Sequence, residues 1–267
     1  MLRATFQIAP GVGASRERAL WRAGVTSWVD LLDGAPTSLP SAVHLDLRRA
    51  VGELNGALTA DALDVIAARL PAAEHWRLFD LFGDDAVYLD IETDEDEGIS
   101  AIGLLDREGP RILLAGRDLH LFPEVMRHVR FLVTFNGCSF DVPILQSRFP
   151  GWTQPVVHVD LCHLWRRLGR GGGLKHLEDV LGLGRPDHLR GVTGREAAWM
   201  WRHARHGNGD ALRRFAEYNL YDAINLRTLM ALGYHEMVQK LEAPASPVHV
   251  QQRGDVLYDV TKVLLSL

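Results

Sequence analysis

The chain is poor in cysteine: Cys138 and Cys162 are the only two among 267 residues. Two thiols cannot build a disulfide framework, so the chain reads as cytoplasmic and held together by burial. Long apolar runs are also missing. Stretches such as Val263-Leu264-Leu265 fall far short of the ~20 residues of a membrane span. The opening segment MLRATFQIAPGVG has no apolar core of the roughly 7–15 residues that a secretory signal needs, so no membrane association is expected. Excess positive charge is lacking too: the net charge is -5, which excludes a wholly basic coat for nucleic acid. Lysine is scarce. Lys175, Lys240 and Lys262 are three of 29 basic residues, and arginine, which makes up the rest, suits bidentate phosphate contact. What is present, 47% hydrophobic and 24% charged residues, is globular and excludes disorder and fibrous repeats.

The charge is unevenly placed. Eight acids and no base lie between Asp84 and Glu97, whereas twelve basic residues face eight acids between Asp160 and Arg227. An acidic knot beside a basic half is what a metal site handling a polyanion needs, and a solvated surface gives the same pattern.

Residues 1–83 carry helical patterning throughout, with helices expected at Ser15–Arg22, Ser27–Leu32, Ser41–Leu54, Thr59–Leu70 and Pro71–Phe82. Ser15 and Ser27 are the expected N-caps. From Ala86 the texture changes. Val87–Ile91, Ile99–Leu105 and Arg111–Ala115 read as a strand meander, followed by strands at Phe131–Phe135 and Val156–Leu161. Helices are expected at Leu121–Val129, Ser139–Phe149, Leu174–Leu181, Arg195–His206 and Asp210–Leu232. That order predicts an α/β domain over residues 84–240, a mixed sheet flanked by helices, preceded by a small all-helical domain over 1–83. Gly169–Gly173 is a loop without the Lys-Ser/Thr ending of a phosphate cradle. Residues 241–267 read as a linker, Ala243-Pro244-Ala245-Ser246-Pro247, and a short final segment.

Three groups of residues carry potential chemistry. On a strand, Asp90 and Glu92 share one face while Leu89 and Ile91 take the other. Two carboxylates there are costly unless a cation joins them, and a hard divalent ion accepts such oxygen ligands. Asp141 follows the strand Phe131–Phe135 in the segment Asn136-Gly137-Cys138-Ser139-Phe140-Asp141, at the strand's carboxyl end, where open α/β sheets hold ligands. Tyr218 and Asp222, four apart on a helix, share a face. Taken singly, each has a plainer reading: an edge strand in water, a helix-start acid favoured by the dipole, an amphipathic side.

The ordered set Asp-x-Glu, Asn-x4-Asp and Tyr-x3-Asp resembles the three motifs of the DEDD exonuclease superfamily with the ribonuclease-H-like fold. Tyr218 resembles the marker of its Tyr-type branch, since a His-type branch places histidine where Glu217 stands. The segments His75-Trp76-Arg77-Leu78, Tyr88-Leu89-Asp90-Ile91-Glu92-Thr93, Thr134-Phe135-Asn136-Gly137, His158-Val159-Asp160-Leu161 and Tyr218-Asn219 are similar to YprB-like ribonuclease-H-like domains, over about residues 75–235. The resemblance implies two divalent metals, Mg²⁺ or Mn²⁺, held by Asp90, Glu92, Asp141 and Asp222. It implies that Tyr218 orients the attacking water and that nucleotides are removed 3′-to-5′ from a DNA or RNA strand, with Asn136 near that strand. One departure stands out: the family often follows the glutamate with Thr-Gly, whereas here Thr93 leads into Asp94-Glu95-Asp96-Glu97, a loop expected to face water. An endonuclease on the same fold, or a nucleic-acid-binding adaptor with a silent site, fits the same residues.

The N-terminal Pro10-Gly11-Val12-Gly13, with Leu20 and Ala23-Gly24-Val25 beyond it, resembles part of a helix–hairpin–helix element. There Gly11 and Gly13 would offer backbone N–H groups to a phosphate; a helical cap that only packs is the other reading. His158, His163, His203 and His206 make no zinc spacing with the two cysteines. Cys138 is expected to pack rather than react, and Asp160 to end a strand and cap the next helix.

Overall fold

The computed structural model describes residues 1–94, 98–244 and 258–267. Glu95, Asp96 and Glu97 of the acidic loop lie outside the described residues, as does the linker from Ala245 onward. The helical region opens with α1 (Ala14–Arg22), whose N-cap is Gly13 rather than the expected Ser15. In α2 (Trp28–Leu32) the expected Ser27 cap is present as a reciprocal box: the Asp30 N–H donates to Ser27 at 3.2 Å, and the Asp30 carboxylate accepts from the Ser27 N–H at 2.8 Å. The helix expected over Thr59–Leu70 is divided. Its start belongs to α3 (Ser41–Thr59), the chain turns at Asp61 with φ 51°, and α4 (Leu63–Arg69) follows. Ala72–Leu78 is 3-10 helix leading into α5 (Phe79–Phe82).

Among the described residues the sheet has five strands, β1 (Ala86–Thr93), β2 (Ile99–Asp106), β3 (Gly109–Leu114), β4 (Phe131–Thr134) and β5 (Val157–Asp160), in the order β3-β2-β1-β4-β5. The first three form the antiparallel meander, and β4 and β5 add in parallel. This is the expected mixed α/β sheet, flanked by helices and preceded by a helical region. The remaining α-helices among the described residues are α6 (Phe122–Val125), α7 (Asp141–Arg148), α8 (Leu161–Arg167), α9 (Leu174–Leu181), α10 (Gly194–Arg205), α11 (Gly209–Leu241) and α12 (Thr261–Leu265). α11 continues past its expected end at Leu232. Gly233 there faces the Leu164 side chain, and an added Cβ would come within 2.7 Å of it, so this glycine admits α8 rather than ending the helix.

Alternation along β1 sorts its side chains into two cores. Val87, Leu89 and Ile91 join Phe122, Leu132, Leu145 and Trp152 under one face. Ala86 and Tyr88 join the larger core under the other, which includes Leu220 and Ile224 of α11 and also Trp28 and Trp76 of the N-terminal region. The Trp76 ring meets Tyr234 edge-on at 5.7 Å. Arg77 is fully buried beside Glu17, donating to its two carboxylate oxygens at 3.0 and 2.8 Å and to the Thr5 hydroxyl at 3.1 Å. A charge placed there is tolerated because it is paired and multiply hydrogen-bonded. By the same alternation, Asp90 and Glu92 lie on the face that α11 covers.

Candidate active site

Asp90 sits mid-sheet opposite Gly103 of β2. That glycine is required by the close approach of α11: a Cβ at position 103 would lie 2.6 Å from the Asn219 side-chain oxygen and 2.8 Å from its backbone oxygen. The gap lets Asn219, fully buried, donate through Nδ2 to Asp90 Oδ2 at 2.8 Å and to the Asp90 carbonyl at 3.3 Å. One helical turn of α11 therefore brings Tyr218, Asn219 and Asp222 onto the acidic end of β1. Asp90, Glu92 and Asp222 come together, with one carboxylate oxygen of each lying mutually within 4.8 Å.

Asp141 stands on the flank of this trio. It is the first residue of α7, buried, and its Oδ1 accepts the Ile91 N–H at 3.2 Å, so it is tied to the backbone between the two β1 carboxylates. The preceding loop turns at Asn136, whose φ of 63° is left-handed, a region asparagine tolerates. Asn136 is half-buried at the carboxyl end of β4 and its N–H donates to Asp160 at 2.8 Å. Asp160 caps α8 through the Cys162 N–H at 3.0 Å, as expected, and also takes the Cys138 N–H at 3.0 Å. Asn136 does not reach the carboxylate trio through any hydrogen bond among the described residues. Gly11 and Gly13 belong to the exposed turn before α1, Gly11 with φ 81° and its carbonyl accepting from Arg16.

Two cations at the site carry no motif of their own in the sequence. Lys175 of α9 and Arg185 both donate to Asp222 Oδ1. Arg185 is held further by Glu178, at 2.8 and 2.6 Å, and Glu178 accepts from Asn225 at 2.8 Å. The Lys175 ammonium also lies 4.4 Å from the centre of the Tyr218 ring, a cation–π contact. Lys175, Arg185 and Tyr218 line one side of a cleft of about 570 Å³.

The electrostatics are those of carboxylates short of positive charge. Burial, and next Asp222, push Glu92 up to about 8. Burial pushes Asp141 up to about 7. Asp90 is raised well above the usual carboxylate range by burial and by Asp222, Asp141 and Glu92 around it. The Tyr218 hydroxyl is raised by burial and the same carboxylates, so it stays protonated and can donate. An all-oxygen donor set whose ionised form is disfavoured without a cation fits a hard divalent metal. Elsewhere, Cys138 proves exposed at its loop rather than packed; the partial desolvation of its sulfur and the Asp160 carboxylate beside it push the thiol up to about 11, so without a cation it stays protonated and is not an activated nucleophile. His203 on α10 and His206 just past its end are exposed, each bonded to a backbone carbonyl of that helix. Asp94 is half-buried, with Arg205 at 3.6 Å, so this first acid of the loop does not simply face water. Among the described residues no helix is long and apolar enough to cross a membrane.

A family model described as RNase_H superfamily matches residues 87–234, more than half of the chain and inclusive of all four carboxylates. No curated protein matches the chain.

Proposed function

Because the chain belongs to the RNase H superfamily, whose members hydrolyse nucleic acid with divalent metal, we propose that it is a two-metal nuclease of the Tyr-type DEDD branch, similar to YprB-like domains, removing nucleotides from 3′ ends. The observation that carries this reading is the gathering of Asp90, Glu92 and Asp222 within 4.8 Å, with Asp141 tied beside them and Tyr218 one turn from Asp222.

In this reading Asp90, Glu92, Asp141 and Asp222 hold two ions, Mg²⁺ or Mn²⁺. When bound, such ions lower the pKa of a water and stabilise the charge of an in-line displacement. The protein supplies the rest. Asn219 fixes the Asp90 carboxylate, and the Ile91 N–H fixes Asp141. The Tyr218 hydroxyl, kept protonated, donates to the attacking water and orients it. Lys175, on the wall of the cleft, meets the negative charge that grows on the phosphate. Asn136 contacts the strand near the carboxyl end of β4. The N–H groups after Gly11 and Gly13 take a phosphate further along, outside the chemistry.

The test uses purified protein with Mg²⁺ or Mn²⁺ on end-labelled linear strands and on circles. Stepwise shortening from the 3′ end with circles untouched is expected. Cleavage of circles as fast as linear strands rejects the exonuclease in favour of an endonuclease. A second reading, a nucleic-acid-binding adaptor, is favoured by one observation: Asp222 is already satisfied by both Lys175 and Arg185. Strand binding with no turnover in any divalent metal selects it.

A further inference from the structure

We propose that Cys138, Asp160 and His163 form a second cation site, suited to a soft, zinc-like divalent ion and separate from the carboxylate trio. The sequence spacing hides this set because its members come from different strand ends. Cys138 lies in the loop from β4 to α7, Asp160 is the last residue of β5, and His163 is in the first turn of α8. β4 and β5 are parallel neighbours, with Thr134 opposite Asp160, so the two carboxyl ends meet. There the cysteine sulfur, a carboxylate oxygen and an imidazole nitrogen lie mutually within 4.8 Å.

Three features point to a ligand. First, sulfur and imidazole donors select zinc-like ions over the magnesium-like ions that an all-oxygen set prefers. Secondly, His158 stands behind the cysteine, its Nδ1 3.6 Å from Cys138 Sγ and its Nε2 2.9 Å from the buried Thr134 hydroxyl. A ring that accepts the Thr134 hydroxyl proton at Nε2 carries its own proton on Nδ1 and turns that N–H toward the sulfur, an outer-shell donor that suits a metal-bound thiolate. Thirdly, these residues line a pocket of about 200 Å³ with Cys138 and His163 exposed, so an ion has room and an entrance. Asp160 Oδ1 accepts two backbone N–H groups and Oδ2 accepts one, which leaves Oδ2 a lone pair to offer. On binding, the Cys138 S–H bond is replaced by a sulfur–metal bond and the proton goes to solvent. The bound ion ties the β4–α7 loop, three residues before Asp141, to the start of α8, and so holds the loop that delivers that carboxylate.

The experiment needs no hydrolysis and is therefore independent of the nuclease reading. The full-length protein, reduced and stripped with a chelator, is titrated with Co²⁺ and followed by absorption for a thiolate-to-cobalt charge-transfer band, then back-titrated with Zn²⁺. One equivalent of Co²⁺ is expected to give the band and Zn²⁺ to erase it. Cys138→Ser is expected to abolish the band. His163→Ala, an exposed position on a helix, is expected to weaken binding by at least the roughly 10–100-fold that loss of an outer-shell partner costs. Glu92→Gln, in the other cluster, is expected to leave the band in place. Circular dichroism establishes that each variant is folded, and His163→Ala carries the test should Cys138→Ser not fold. Absence of the band in the wild-type protein, its persistence in folded Cys138→Ser, where only Cys162 remains, or unchanged affinity in His163→Ala overturns the proposal.

Discussion

Replacing Gly103 with alanine puts a methyl group where α11 already lies. The new Cβ would stand 2.6 Å from the Asn219 side-chain oxygen and 2.8 Å from the Asn219 carbonyl oxygen, against the 3.4 Å at which ordinary contact begins. The side chain can swing away, but the carbonyl is helix backbone, so α11 and β2 must separate by about 0.6 Å. Overpacking of this kind costs about 1–3 kcal/mol, which for a chain of this length is a fall of several degrees in Tm. The displacement acts directly on the site, because Asn219 holds Asp90, and Tyr218 and Asp222 ride on the same turn. Misplacement by about 1 Å can cost roughly 10²-fold in rate, so a loss on the order of ten- to hundredfold is expected in turnover on an end-labelled strand. Gly52→Ala in α3, where nothing lies within 4 Å of the added methyl, is the control, expected to be neutral or stabilising by up to about 1 kcal/mol. Wild-type Tm and turnover in Gly103→Ala, measured by calorimetry and by gel assay, would refute the claim that this glycine sets the approach of α11 to Asp90.

Asp222→Ala removes a carboxylate from the trio and is expected to nearly abolish both Mn²⁺ binding by calorimetry and turnover, whereas Tyr218→Phe is expected to keep metal affinity and lose about 10²-fold in turnover; wild-type turnover in Tyr218→Phe sinks the water-orienting role. In chelator the protein is expected to lose Tm progressively as the pH is raised from about 4–5, where the unfolded carboxylates ionise, to about 8. Glu92 and Asp141 titrate at about 8 and about 7 when folded, but near ordinary carboxylate values when unfolded. The stability they contribute is therefore full at low pH and lost as they ionise, and a Tm that rises over this window contradicts the burial of uncompensated carboxylates. Arg77→Ala leaves the buried Glu17 without its partner and is expected to destabilise by about 3–5 kcal/mol; a denaturant melt with an unchanged midpoint excludes a structural role for the pair.

The site was legible from the sequence where it is local and illegible where it is not. Asp90 and Glu92 are two apart on a strand, and Tyr218 and Asp222 are four apart on a helix, so period alone puts each pair on one face. Asp160 was readable as a cap for the same reason. Lys175 and Arg185 reach Asp222 across 47 and 37 residues, and a single basic residue in an arginine-rich stretch carries no local signal. The role of Asn219 depends on a pairing 129 residues away, and that of Gly103 on the helix above it. α11 outruns its expected end because Gly233 reads locally as a stop yet serves the packing of Leu164. Asp61, with φ 51°, divides a helix whose apolar spacing runs on through it in the sequence, because spacing carries no signal of a left-handed residue. Cys138 misled because cysteine is usually buried, and here the β4–α7 loop carries it to the surface.

The proposed hydrolysis of phosphodiesters by the carboxylates at the end of β1, through divalent metal, is tested most directly by the rate at which the wild-type protein and Glu92→Gln hydrolyse an end-labelled strand, each with Mn²⁺, with Mg²⁺ and with chelator. Glu92→Gln preserves the shape of a residue that stands with Asp90 and Asp222 in the trio and removes only its capacity for charge. Hydrolysis by the wild-type protein in either metal, none in chelator, and near-background rates for a folded Glu92→Gln are expected. Hydrolysis that survives the chelator, or a Glu92→Gln variant as fast as the wild type, contradicts metal-dependent hydrolysis at these carboxylates.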